Sequence, residues 1–160
     1  MENRIVSIAI NNLLQGRKEW DMLVSRVDEK DMNTPGVCGQ WSVKDILAHI
    51  SWYEREMAEM FTNLTLEGSS LWELPQDERN EAIFKEYRFK SLDEVLQMYR
   101  SGFAQLLSTV EVVEPKALLD PNLIEGMPAD WDPMLILASN TWGHYPQHYG
   151  HIEAFLETIR

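Results

Sequence analysis

Apolar residues recur at steps of three and four along four long stretches of this chain, and no stretch alternates convincingly with period two. That periodicity selects amphipathic helices that bury one face against one another. The first helix is predicted over residues 4–27, with Ile5, Ile8, Ala9, Leu13, Trp20, Leu23, Val24 and Val27 inward. Gly16 weakens its middle by roughly 1 kcal/mol relative to alanine. The second begins where Ser42 and Asp45 form a capping pattern behind Trp41, and runs to about Phe61. A short helix is expected over about Gln76–Tyr87, with acids in its first turn. Ser91 and Glu94 open another long helix, to about Val110. Asp132-Pro133 opens the last one, an N-cap followed by proline at the first helical position. Pro146 lies inside that helix and should kink it, because proline lacks the backbone donor. The expectation is an all-α four-helix bundle with an extra short helix and long connections, one domain over residues 1–160. The stretch 111–131 is long for a bundle connection unless it covers something.

Composition narrows the function classes. Twenty-six acids against 14 bases give a formal net charge of −12. Nucleic-acid and anionic-membrane partners call for clustered Lys and Arg, so neither is expected. Cys38 is the single cysteine, so no disulfide forms within the chain and a cytoplasmic setting is expected. The start, Met1-Glu2-Asn3-Arg4, shows no signal-peptide pattern. No apolar run is long enough to span a bilayer.

The chemistry is concentrated in Trp142–Ile152, which holds three of the four histidines: His144, His148 and His151. Steps of four and three return to one helix face. The fourth, His49, follows Ile46 by three residues and precedes Tyr53 by four, which sets it on or beside the inner face of the second helix. Two histidines four apart can share one divalent ion, as zincin helices do, but Tyr145 stands where those carry a catalytic glutamate. A third imidazole from another helix would complete a catalytic-type site with an open position. His49 is the candidate. The bland alternative is a solvated histidine pair with no ligand. His151 is open between alternative ligand, a donor to a ligand, and surface residue. Tyr53, Tyr145 and Tyr149 could line a pocket or simply fill the core. Trp41, Trp52 and Trp142 could wall such a pocket. Asn140 could bond a histidine or a substrate, and Glu54 and Glu56 could act as bases or form a solvated face.

Two blocks carry a resemblance. Trp41-Ser42-Val43-Lys44-Asp45-Ile46-Leu47-Ala48-His49-Ile50, followed by Trp52 and Glu54, resembles the helix-two signature of the DinB/YfiT-like superfamily. Asn140-Thr141-Trp142-Gly143-His144-Tyr145-Pro146-Gln147-His148-Tyr149-Gly150-His151-Ile152 resembles its helix-four signature. The nearest branch is the ClbS/DfsB family. The resemblance implies a bundle that is often a homodimer and a divalent metal, zinc or nickel foremost, held by His49, His144 and His148. It puts His151 outside the ligand set; Tyr53, Tyr145, Trp142 and Asn140, with His151, are expected around the pocket. It implies a metal-dependent hydrolase or a thiol- or group-transferase that acts on a small molecule in detoxification or stress protection. The alternative is a metal-free protein that binds or sequesters a small molecule for self-resistance.

Overall fold

The computed structural model describes residues 2–160, and Met1 lies outside it. The protein is all-α. Its helices are α1 (Glu2–Val24), α2 (Val43–Asn63), α3 (Gln76–Tyr87), α4 (Leu92–Val112), α5 (Pro133–Ser139) and α6 (Tyr149–Thr158). Among the described residues there is no strand, only isolated bridges pairing Cys38 with Trp41 and Thr65 with Glu125.

The helices begin where the capping residues stand. Ser42 accepts from the Asp45 amide at 3.2 Å while the Asp45 carboxylate accepts from the Ser42 amide at 2.8 Å. Ser91 and Glu94 repeat the reciprocal arrangement. Asp132 accepts from the amides of Met134 and Leu135. Each cap satisfies amides that would otherwise lack an intrahelical partner.

Helix α2 is the centre of the molecule, packed most extensively along α4. Its periodicity suggests one buried face, yet it is buried nearly all round, with Lys44, Ser51, Glu54 and Glu56 among its buried residues. Those polar groups are tolerated because each finds a partner. Lys44 Nζ donates to the carbonyls of Arg88 and Lys90 at 2.8 and 2.9 Å. Glu54, with no exposed surface, takes Arg17 Nη1 at 3.0 and 3.1 Å and the Tyr145 hydroxyl at 2.5 Å. Arg17 also donates to the Tyr99 carbonyl at 2.9 Å and lies over the Tyr99 ring. One buried ion pair thus ties α1, α2, α4 and the Tyr145 turn.

The last helix departs from expectation: it is broken, not kinked. Helix α5 ends at Ser139, the chain turns through Asn140–His144, a 3-10 turn covers Tyr145–His148, and only then does α6 begin. The Gly143 amide folds back to the Ala138 carbonyl at 2.8 Å. Pro146, which has no backbone donor, sits inside the 3-10 turn that follows, so no regular α-helix resumes until Tyr149.

The long connection does cover something. Ala117, Leu118 and Ile124 are buried against Ala9, Leu13, Phe61 and Leu106. It is pinned to the end of α2 by bonds from the Leu66 amide to the Glu125 carbonyl and from the Glu125 amide to the Leu64 carbonyl.

Candidate metal centre

The break in the last helix positions the histidines. His144 precedes the 3-10 turn and His148 ends it, so the two rings approach without a regular helix beneath them. Their Nε2 atoms are 3.1 Å apart, and His49 on α2 brings its Nε2 to 3.0 Å from that of His144. One donor atom from each of the three residues lies within 4.8 Å of the others. Two nitrogens on tetrahedral corners around zinc, each at 2.0–2.1 Å, stand about 3.3 Å apart. The His49–His144 and His144–His148 pairs have nearly that spacing already.

All three residues are buried, with 3 %, 7 % and 8 % exposure for His49, His144 and His148. Burial holds His144 down to about 4 and His148 down to about 3, the latter aided by the charges of His144 and His151. His49 is pushed well below its ordinary value by burial, then by His144, His148 and Arg79. At neutral pH the imidazoles are therefore uncharged, the form that ligates a metal. None of their Nδ1 atoms has a hydrogen-bond partner. A neutral imidazole carries one N–H, and with protons on Nδ1 the three Nε2 lone pairs face one another. A divalent cation between them would take those lone pairs, so the donor set fits such an ion. Aromatic edges also position the rings. Tyr53 packs against His49 and His144, each with centroids 4.9 Å apart, and Trp41 lies 5.2 Å from His49.

The histidines line a cavity of about 410 Å³. His151 stands on its wall, its ring 5.9 Å from that of His148 and its Nδ1 likewise without a partner. Tyr53 and Asn140 also line it; the Asn140 amide donates to the Ile136 carbonyl at 2.8 Å. Tyr145 lies elsewhere, fully buried on Glu54. Trp142 packs over Gly16 of α1. Trp52 is buried against Tyr53 and Trp72. Cys38 is half-buried, and burial raises its thiol above the ordinary range, which leaves it a poor nucleophile at neutral pH.

Helix α3 supplies three polar residues that the sequence reading overlooked: Gln76, Arg79 and Asn80. Arg79 Nε donates to the Tyr53 hydroxyl at 3.1 Å, and that hydroxyl donates to Asn80 Oδ1 at 2.8 Å. The signal was available, since residues 76, 79, 80, 83 and 87 share one helix face and Ile83 and Tyr87 are its buried end.

A family model described as the mycothiol maleylpyruvate isomerase N-terminal domain matches residues 13–145. The match takes in His49 and His144 and ends before His148. No curated protein and no solved structure matches the chain. With an all-helical fold and a match over most of its length, the chain belongs to the mycothiol maleylpyruvate isomerase N-terminal domain family, within the metal-binding DinB/YfiT-like superfamily.

Proposed function

We propose that this protein is a divalent-metal-dependent enzyme that acts on a small molecule by hydrolysis or by transfer of a thiol or another group, in detoxification or stress protection. The observation that carries the reading is the convergence of three buried, uncharged imidazoles on the wall of a cavity. His49, His144 and His148 would hold zinc or nickel. The bound ion would act as a Lewis acid and lower the pKa of an oxygen or sulfur at its open position. The surrounding residues bind and orient. Tyr53 is held by Arg79 and Asn80, and His151 would stand beside the substrate on the cavity wall. The helix-two and helix-four blocks support a position near the ClbS/DfsB branch. A homodimer and a cytoplasmic setting belong to the same proposal, supported by that resemblance and by the lone cysteine.

Elemental analysis tests it. Protein purified without an affinity tag and incubated with zinc or nickel should retain about one ion per chain. The His144→Ala variant should retain almost none. Equally low metal in both proteins would overturn the reading and favour metal-free capture of a small molecule.

A further inference from the structure

A second cavity, of about 470 Å³, lies beside the first and shares Arg79 and Asn140 with it. That volume is typical of small-molecule sites. Its apolar lining comes from separate parts of the chain: Met60 on α2, Leu66 and Trp72 after it, Trp131 from the long connection, and Ile136 on α5. The Trp72 indole N–H is engaged by Glu56 Oε2 at 2.7 Å, so no donor on that ring needs a ligand. Glu56 also accepts from the Ser69 amide at 3.0 Å. Gly68 permits this close packing, since a Cβ there would lie 2.7 Å from Glu56 Oε2.

Arg79 stands at the junction. Its guanidinium lies over the Trp72 ring, 4.7 Å from the centroid, and its Nε is held by Tyr53. Its terminal nitrogens are poorly satisfied: Nη1 reaches the Leu74 carbonyl only at 3.5 Å. Among the described residues no carboxylate is within ion-pair range of it. Of the cavity's acids, Glu56 is committed to Trp72 and Ser69, and Glu67 and Glu73 are exposed. In a chain of net charge −12, a half-buried cation without an ion-pair partner between an apolar cavity and a histidine cluster is complementary to an anion.

We propose that the second cavity binds the apolar body of an amphipathic organic anion, with the anionic group on Arg79 and the remainder set against the histidines. The inference deepens the enzyme reading by naming a substrate class, and it rests on that reading for where the chemistry occurs. The occupant is a flat aromatic or branched aliphatic molecule with one carboxylate- or sulfonate-like group.

The test uses two fluorescent probes that share an aromatic body, anilinonaphthalene sulfonate and uncharged phenylnaphthylamine, titrated into the full-length protein. The sulfonate should bind at one site, at least about tenfold tighter than the uncharged dye, the factor a charge-assisted hydrogen bond supplies. Arg79→Gln should erase that preference and leave the uncharged dye within about twofold, because the apolar walls remain. Ile136→Trp should fill the cavity and remove both. Equal affinities for the two dyes on the wild-type protein, a comparison that needs no variant, overturn the proposal. So does sulfonate binding indifferent to Arg79→Gln in a folded protein. Zinc uptake is measured on the same samples. Zinc bound without the dye preference sinks the cavity assignment alone, and the dye preference without zinc sinks the metal reading alone.

Discussion

His144 and His148 are buried as neutral bases, and this has a cost in acid. Their folded-state values, about 4 and about 3, lie below the ordinary 6.5 of an unfolded histidine. Between those limits the unfolded chain binds more protons, so protonation favours unfolding. The stability these groups contribute is complete above about pH 6.5 and is lost as pH falls toward the folded values. For one such histidine, going from pH 7 to pH 5 removes about 2 kcal/mol, and the pair titrates as a coupled unit. Urea unfolding of EDTA-treated protein at the two pH values measures this. A midpoint unchanged between pH 7 and pH 5 would contradict the burial of neutral imidazoles.

At the scale of the helix, glycine shows how context overrides propensity. On a helix-propensity scale both Gly16 and Gly102 look like weak points. Yet a Cβ at Gly16 would lie 2.6 Å from the Trp142 Cβ, whereas at Gly102 nothing lies within 4 Å. Gly16 is what lets α1 approach the turn that carries His144. Gly16→Ala should therefore lower stability by about 1–3 kcal/mol through overpacking. Gly102→Ala should raise it by about 0.5–1 kcal/mol. Thermal melts of the two variants check the pair, and a stabilised Gly16→Ala would refute the close approach. The buried Arg17–Glu54 pair belongs to this scale too. Burial pushes the Glu54 carboxyl up, while the Arg17 charge and the Tyr145 hydroxyl pull it back. Its worth is therefore as an anchor of helix positions more than as net stability.

Across the whole molecule, the histidine cluster joins the central helix to the C-terminal segment. His49 comes from α2, while His144 precedes and His148 ends the 3-10 turn that leads into α6. A metal that binds only the folded arrangement must stabilise all of it. Zinc at a hundred times its dissociation constant adds about 2.7 kcal/mol. For a chain of this size that raises Tm by about 5–10 °C. The His49→Gln variant should show almost none of this shift. Calorimetry with and without zinc reads the difference, and equal shifts in both proteins would mean that the ion binds elsewhere. Among the described residues no helix is long and apolar enough to cross a membrane.

The sequence alone determined the features that depend on neighbours along the chain. Apolar periodicity marked the helices, and Ser42, Ser91 and Asp132 marked their starts, because a cap bonds amides two or three residues away. The spacing of His144 and His148, and the family blocks around them and His49, marked the candidate site. Pro146 warned of a disturbance, but a broken helix and a kinked one share the same local signals. Tertiary structure decided the rest. Whether His49 meets His144 depends on how α2 packs against a turn 95 residues later. Glu54 reads as a solvated acid until Arg17, 37 residues earlier, is folded onto it. Arg79 gains its place only when Tyr53, Trp72 and the long connection assemble around it. Local hydrogen-bond geometry is written within a turn or two of chain; desolvation and charge pairing depend on which distant side chains exclude the water.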